Sequence, residues 1–372
     1  MNVLFVDQFS DLGGGQLALL DLLPAVAERG WKSLVAAPGD GALASRAKAL
    51  GADYAKIECG PFESWTKSTA DVARFVGQWP RLVRRVRALA KEMRAGLIYA
   101  NGPRVLPAAC AAAGTRMPVL FHCHSLLEKQ YTAALVGGAL ALARATVVGS
   151  CRYVLRPLAR YRKGEVVYNG VAAPARRERP AGRRGYTIGL IGRIAPEKGQ
   201  LEFVQAAGMV SRQHPDWRFV ICGAPLFGDP AGAAYAERAR STAAGLPIEF
   251  LGWREDAGAV LAELDLLVVP SRGREATTRV ILEAFAARVP VLASNAGGIA
   301  EVVAEGQTGF LAPEGDAAEL ANRIRSVLEG DDTSRRLVAE AAHRSWQERY
   351  TLEHYRNNML SILARAGAVG CG

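Results

Sequence analysis

The stretch Thr187-Ile188-Gly189-Leu190-Ile191-Gly192-Arg193-Ile194-Ala195-Pro196-Glu197-Lys198-Gly199 decides the fold class. Its first half is a short apolar run that ends at glycine, the pattern of a buried strand. Its second half is a turn, and 199–213 then has helical spacing. Strand, glycine-containing turn and helix make half of a parallel βα unit, and the pattern repeats. Strand-like runs follow at 218–222, 248–251, 266–269 and 290–293, with helical spacing over 277–288, 319–329 and 332–350. The N-terminal half alternates in the same way. Strands are expected at 2–6, 33–37, 97–100, 119–122 and 146–149, and helices at 16–28, 42–50, 68–77 and 81–94. Alternation of this kind implies parallel sheets covered by helices. A stretch of Pro, Gly, Arg and Glu almost without large apolar residues, 173–186, interrupts it and reads as a linker.

Composition sets the outer limits. Hydrophobic residues are 50% and charged residues 22% of the 372, enough apolar material for two substantial cores and unlike a disordered chain. No run reaches the roughly 18 apolar residues of a membrane-spanning helix. The nearest, 131–143, is shorter and rich in Ala and Gly. Residues 1–7 read as a strand and not as a signal peptide. The cysteines at 59, 110, 123, 151, 222 and 371 lack the spacing of a zinc site or a disulfide framework. A reducing cytoplasm is therefore expected. The formal charge of +10 points to an anionic partner: a nucleotide, a phospholipid surface or a nucleic acid.

Four groups of residues carry candidate chemistry. Arg193 and Lys198 follow a strand and precede a helix, where ligands bind in open α/β sheets. Arg offers a planar fork to phosphate and Lys a mobile point charge, so the two suit a diphosphate; the plain alternative is a pair of solvated loop charges. Glu275 and Glu283 stand eight apart, one before a helix and one within it. They suit hydrogen bonds from sugar hydroxyls at different parts of one elongated ligand, or are surface carboxylates. Between them, the N–H groups of Thr277 and Thr278 lie at the expected helix start. A cation pair with a carboxylate pair is what a nucleotide-sugar site requires.

Gly13, Gly14 and Gly15 open the first helix and permit close backbone approach to an anion. Gly13, Gly15 and Ala18 satisfy G-x-G-x-x-G/A in form. Yet 7–12 intervene after the strand, and the second strand ends without an acidic residue, so a dinucleotide site is disfavoured against a plain turn. His122 and His124 point to one face of a strand. A metal site, a structural pair, and a His124 that reaches a ligand all remain open. Residues 81–94 form an amphipathic helix with Leu82, Val86, Leu89 and Met93 on one side and Arg81, Arg84, Arg85, Arg87 and Lys91 on the others. It is either a solvated face or a contact with anionic lipid, with Phe62, Trp65 and Trp79 as nearby anchors. The basic–aromatic interleaving of nucleic-acid modules is missing.

On these residues the chain resembles the retaining glycosyltransferases of family 4. The resemblance rests on Ile191-Gly192-Arg193 with Pro196-Glu197-Lys198-Gly199, and on Pro270-Ser271 with Glu275 and Glu283-Ala284. It extends to Pro290-Val291, Gly297-Gly298, Glu301, Gly306-Gln307-Thr308-Gly309-Phe310-Leu311 and Tyr168-Asn169-Gly170-Val171. It implies the GT-B architecture, an α/β fold of two Rossmann-like domains whose parallel sheets face a central cleft. Residues 1–172 would form the acceptor-side domain, 187–345 the donor domain, and 346–372 a helix crossing back to the first.

The resemblance also implies roles. Glu275 would contact the donor sugar and Glu283 the ribose. Arg193 and Lys198 would hold the diphosphate with the backbone of Gly14 and Gly15. Trp253 would lie beside the base, Thr277 and Thr278 at the donor, and His124 near the transferred sugar. No metal or cofactor is expected, and the anomeric configuration would be retained. The implied activity is transfer of a sugar from a nucleoside diphosphate to a saccharide or lipid-linked acceptor in polysaccharide or cell-envelope synthesis. A nucleotide-sugar epimerase and a non-catalytic nucleotide-sugar-binding module are the alternatives. The chain would be cytoplasmic, with peripheral contact to an anionic membrane face and no nucleic-acid partner. Two departures stand out. Ala276-Thr277-Thr278 replaces the family's usual Phe-Gly or similar pair, placing a β-branched residue where glycine is usual. Gln16 stands where many members have Glu. Both bear on donor choice and on activity itself.

Overall fold

The computed structural model describes residues 1–60, 69–173, 185–226, 230–254, 256–273 and 275–368. The chain divides into two compact units: Met1–Asn169 with Leu352–Gly372, and Gly170–Thr351. Most of the expected linker, and the anchors Phe62 and Trp65, lie outside the described residues.

The first unit contains β1 (Asn2–Asp7), α1 (Gly14–Glu28), β2 (Lys32–Ala37), α2 (Ala42–Ala49), β3 (Asp53–Lys56), α3 (Thr69–Glu92) and β4 (Leu97–Asn101). It continues with α4 (Leu106–Ala113), β5 (Val119–Cys123), α5 (Gln130–Ala141), β6 (Ala145–Gly149), α6 (Arg152–Leu155) and β7 (Glu165–Val166). Its strands form one parallel sheet in the order β3-β2-β1-β4-β5-β6-β7. The central strands are buried along nearly their whole length, which is why they read as continuous apolar runs and not as alternating ones.

The second unit holds β8 (Thr187–Ile191), α7 (Gln200–Ser211), β9 (Arg218–Cys222), α8 (Pro230–Thr242), β10 (Ile248–Gly252), α9 (Ala257–Ala262) and β11 (Leu266–Val269). Next come α10 (Arg279–Ala287), β12 (Val291–Ser294), β13 (Phe310–Ala312), α11 (Ala317–Glu329) and α12 (Asp332–Arg349). The strand order is β10-β9-β8-β11-β12-β13, again all parallel. Phe203, Phe219, Ile221, Leu266, Val268 and Ile324 lie in its core.

The last helix, α13 (Leu352–Ala368), belongs to the first unit. Its Tyr355 hydroxyl donates to the Ala18 carbonyl at 2.8 Å, and Arg356 Nε to the Asp21 carbonyl at 2.7 Å. Tyr355, Met359 and Leu363 enter the same core as Phe5, Leu19 and Tyr99. Each such buried Met or Leu side chain contributes about 1.5–3 kcal/mol, enough to hold this helix in place. The returning segment starts at Leu352 and not at 346. Trp346 Nε1 donates to the Val171 carbonyl at 3.2 Å, and Val171 pairs with Thr351, so both stay with the second unit.

Three local readings change. The two helices expected at 68–77 and 81–94 are one, α3, which runs through Pro80. Proline removes one hydrogen-bond donor, but Leu82, Val83, Val86, Leu89 and Ala90 are buried and anchor the C-terminal half. Met93 lies past the end of that helix and is half-buried. The helix expected at 277–288 begins only at Arg279, because Thr278 has extended backbone (φ −73°, ψ 122°).

In each sheet the chain reverses its direction of strand addition once: between β1 and β4 in the first, and between β8 and β11 in the second. At such a point neighbouring loops leave in opposite directions and open a crevice at the carboxyl ends of the strands. Among the described residues no helix is long and apolar enough to cross a membrane. Cys59, Cys110, Cys123, Cys151 and Cys222 are buried.

Candidate active-site residues at the two sheet reversals

The second unit's reversal is flanked by the turn after β8 and the loop after β11. Gln200, fully buried, ties the first down: its Nε2 donates to the Arg193 carbonyl at 2.9 Å and its Oε1 accepts from Ala195 N at 3.3 Å. Gly199 closes the turn with φ +75°, and a Cβ there would collide with the Pro270 carbonyl. Arg272 N donates to the Glu197 carbonyl at 2.9 Å, so turn and loop form one wall. Gly297 (φ +57°) performs the same service from the other side. A Cβ on it would strike the Glu275 carbonyl, which instead accepts from Gly298 N at 2.8 Å. The glycines of the sequence motifs thus let three backbone segments converge on Glu275.

Lys198 Nζ meets Glu275 Oε2 at 2.6 Å, with side chains 21% and 14% exposed. Burial pushes the Glu275 carboxyl up, but the Lys198 charge and hydrogen bond, with the hydroxyls of Thr278 and Ser271, outweigh it and hold Glu275 below the usual carboxylate range. Those two hydroxyls face the carboxylate without completing hydrogen-bond geometry. Arg193 pairs with Glu197 one turn along. Each cation thus already has a carboxylate partner. The pairing of Lys198 with Glu275, 77 positions apart, and the part played by buried Ser271, were beyond sequence reasoning.

The remaining donor-side candidates surround this pair at different depths. Thr277 is buried and Thr278 half-buried at the start of α10. Neither has a positive φ; among the described non-glycine residues only Arg94 and Arg288 do. The β-branched residues at this position thus introduce no backbone strain. Glu283 lies on α10 with its side chain 34% exposed, 4.0 Å from Arg279 Nε one turn earlier. Arg279 also donates to the Gly170 carbonyl at 3.3 Å. Trp253 follows β10, the outer strand, and is half exposed; two strands separate it from the reversal.

The first unit's reversal holds a different set. Asp7 ends β1, Asn101 ends β4 and His122 lies near the end of β5, and parallel register pairs Asp7 with Asn101 and Asn101 with His122. Asp7 Oδ1 accepts from Gln16 Nε2 at 2.8 Å and from Phe9 N at 2.9 Å, and its Oδ2 accepts from Asn101 Nδ2. Asn101 Nδ2 also reaches the Gly15 carbonyl at 3.1 Å, while its Oδ1 lies 2.8 Å from His124 Nε2. Burial pushes the Asp7 carboxyl up to about 6, against the hydrogen bonds from Asn101, Phe9 and Gln16 that lower it. Gln16 Oε1 in turn accepts from Gly13 N at 3.1 Å. A glutamate at 16 would set a second carboxylate against Asp7, so glutamine suits this chain.

Gly14 and Gly15 are the first two residues of α1, whose N–H groups have no partner within the helix. His122 is fully buried, its ring tilted 43° to that of His124 with centroids 3.8 Å apart, and hydrogen-bonded to the Tyr99 hydroxyl. Burial, with the His124 charge, holds it far below the ordinary histidine range. Among the described residues no cluster of three or more His, Cys, Asp or Glu side chains is arranged to hold a metal ion. Asp7 and Asn101 were missed by the sequence reading. Their one signal is polarity at the ends of otherwise apolar strands.

Two family models match the chain: glycosyl transferase 4-like domain over residues 13–162, and glycosyl transferases group 1 over 185–330. A phosphatidyl-myo-inositol mannosyltransferase of Mycobacterium leprae is 32% identical over 241 residues, 60% of this chain and 62% of that protein. A 2-deoxystreptamine glucosyltransferase of Streptomyces kanamyceticus is 35% identical over 185 residues, 47% of this chain and 46% of that one. The chain thus spans less than two thirds of the length of these curated relatives. Anabaena HepE, solved in complex with UDP-glucose, has a TM-score of 0.83 at 25% identity, covering 98% of this chain and 100% of HepE. The sucrose-phosphate synthase of Thermosynechococcus elongatus shares the fold, with a TM-score of 0.81 at 19% identity over 99% of this chain and 100% of that one. Two matched domain models, the doubled parallel-sheet architecture and the full-length likeness to these structures agree: the chain belongs to the group 1 glycosyltransferases with the GT-B fold.

Proposed function

We propose that this protein transfers a sugar, with retention, from a nucleoside diphosphate to an acceptor hydroxyl. The observation that carries the reading is the Lys198–Glu275 pair at the reversal between β8 and β11. A carboxylate held ionised beside an ammonium is prepared for a ligand with both a diphosphate and hydroxyls. Lys198 turns from Glu275 to the diphosphate, and Glu275 then accepts hydrogen bonds from the sugar. Arg193 adds a second cation and Glu283 a ribose contact, with Trp253 toward the base and Thr277 and Thr278 along the donor. Gly14 and Gly15 offer backbone N–H groups to phosphate, and His124 serves the transferred sugar. The bond between the anomeric carbon and the phosphate oxygen breaks, and the acceptor oxygen bonds to the same face. The acceptor's proton goes to the departing diphosphate, whose charge the two cations stabilise in the role that a metal fills elsewhere.

HepE's complex with UDP-glucose favours a uridine diphosphate sugar as donor. The mannosyl- and glucosyltransferase relatives favour a saccharide, a polyol or a lipid-linked form of either as acceptor. Contact with an anionic membrane, for a protein working on its cytoplasmic side, rests on α3. Arg81, Arg84 and Arg85 are exposed there and follow exposed Val72, Val76 and Trp79 along the same helix. Sedimentation with anionic vesicles that is unchanged on replacing the three arginines sinks that part alone.

The deciding measurement is a thermal-shift panel of UDP, GDP, ADP and their common sugar conjugates, followed by NMR of the product's anomeric configuration. A ligand at about 100 times its dissociation constant stabilises by about 2.7 kcal/mol. Silence across the panel refutes the donor site, inversion at the anomeric carbon refutes retention, and an isomerised nucleotide sugar formed without acceptor reveals an epimerase.

A further inference from the structure

The buried chain Asp7–Asn101–His124 has a direction that hydrogen-bond chemistry determines. Asn101 Nδ2 faces two groups that only accept, the Asp7 carboxylate and the Gly15 carbonyl at 3.1 Å. The amide nitrogen must therefore point at them, and the amide oxygen at His124 Nε2, 2.8 Å away. An oxygen acceptor at that place requires the imidazole to carry hydrogen on Nε2. The other end of the chain is equally constrained. Asp7 Oδ1 is taken by Phe9 N and Gln16 Nε2, leaving Oδ2 for Asn101. The ring is held in position as well as in tautomer: His122 packs against it with ring centroids 3.8 Å apart, and a Cβ on Gly15 would lie 3.1 Å from His124 Cδ2.

We propose that Asp7 and Asn101 are positioning residues, which lock His124 in its Nε2–H form against the start of α1. The inference deepens the transfer reading and rests on it for the use to which His124 is put. It does not rest on it for the lock itself. Asp7 and Asn101 touch no substrate in this scheme; they decide which nitrogen of His124 bears the proton when substrate arrives.

The test is side-chain nitrogen NMR of protein labelled with ¹⁵N-histidine, in mildly alkaline buffer where Asp7 is ionised. The chain has five histidines, and His124→Gln identifies the signal. The wild type should show the His124 proton on Nε2. In Asp7→Asn, the new amide keeps its oxygen toward Phe9 N and Gln16 and presents its nitrogen to Asn101. The Asn101 amide then meets an amide N–H donor where it had a carboxylate, while the Gly15 carbonyl still favours its original orientation, so the amide should divide between two orientations and the ring proton between Nε2 and Nδ1. Sugar transfer by this variant should lose on the order of tenfold or more in kcat, with the donor KM unchanged. A wild-type spectrum with the proton on Nδ1, or exchanging freely, overturns the proposal without any variant, and so does a folded Asp7→Asn protein with an unaltered His124 signal. A locked tautomer in a protein that turns over no donor defeats the transfer reading and leaves the lock standing. Transfer by a wild type with an unlocked ring does the reverse.

Discussion

The two sheet reversals share a topology and oppose each other in electrostatics. In the second unit a carboxylate, Glu275, is partnered by an ammonium and held below its usual range. In the first a carboxylate, Asp7, is partnered by amides and a backbone N–H, and burial pushes it up to about 6. Neutral donors hydrogen-bond a buried carboxylate without cancelling its charge, whereas a cation cancels it. The same place in the same kind of sheet therefore produces two devices: an ion pair, which the proposed donor would open, and an uncharged scaffold around one buried charge, which is proposed to hold a ring still. The glycines reflect the difference. Those around Glu275 let backbone segments close on it, whereas Gly15 makes room for an imidazole.

The largest effect should come from breaking the ion pair on its acidic side. Glu275→Ala removes the group proposed to hold the sugar and releases Lys198. Transfer should fall by about 10²–10³-fold, the scale of losing one charge-stabilising contact. Affinity for the nucleoside diphosphate alone should stay level or rise, since Lys198 no longer has a competing carboxylate. Steady-state kinetics beside calorimetric titration separate the two. Equal weakening of free diphosphate and of donor would contradict a sugar-only role for Glu275.

The corresponding test in the first unit reads stability. Asp7 is neutral in both folded and unfolded protein below pH 3.8 and ionised in both above about 6, so its burial weakens the fold as pH rises through that window. The rise from 3.8 to about 6 corresponds to about 3 kcal/mol. Denaturant titrations of wild type and Asp7→Asn at acid and neutral pH should therefore diverge, with the variant gaining on the wild type by up to about 3 kcal/mol as pH increases. A constant difference across that range would mean that Asp7 is not the buried, raised carboxyl described. Glu275, depressed instead of raised, should show the opposite slope: its contribution is present above the unfolded value and fades as pH falls through the folded one.

Lys198→Ala sharpens the comparison from the basic side. It leaves Glu275 buried without its cation while Arg193 remains. Nucleoside diphosphate affinity should drop by about tenfold, and what remains should depend less on salt, because a charge contact is gone. Titrations at two ionic strengths decide it; an unchanged affinity returns Lys198 to a purely structural pairing with Glu275.

How much of this was legible depended on sequence distance. The strands at 218–222 and 266–269 lie where their apolar runs put them, and the parallel α/β class followed from alternation alone. Other elements lacked such a signature. α4 and α5 are built largely from Ala, Gly, Leu and Val, so no polar face marks a helical period. β3 is an edge strand of mixed Asp-Tyr-Ala-Lys, and β13 is only three residues long. At the candidate site the residue types were readable but the partners were not. Lys198 and Glu275 were assigned to separate parts of a ligand, and only folding shows them in contact. Asp7 and Asn101 meet across 94 positions by strand register. Sequence periodicity puts each just beyond an apolar strand and is silent on which strands are neighbours.

The smallest expected effect tests how closely His124 is held. Gly15 is helical, so alanine meets no backbone penalty there and even favours the helix by roughly 0.5–1 kcal/mol. The added Cβ would stand 3.1 Å from His124 Cδ2, tighter than ordinary contact, and the ring must yield by a few tenths of an ångström. It is not free to do so, since His122 packs against it and Asn101 holds Nε2 at 2.8 Å. Gly15→Ala should therefore leave thermal stability within about 1 kcal/mol of wild type, while kcat falls a few-fold and nucleotide affinity in the second unit is untouched. A loss of nucleotide affinity instead would mean that the added methyl crowds the donor phosphate, which the backbone N–H retained by alanine is proposed to meet. Unaltered kinetics would mean that the ring moves freely, and the scaffold around Asp7 would then hold nothing that the reaction uses.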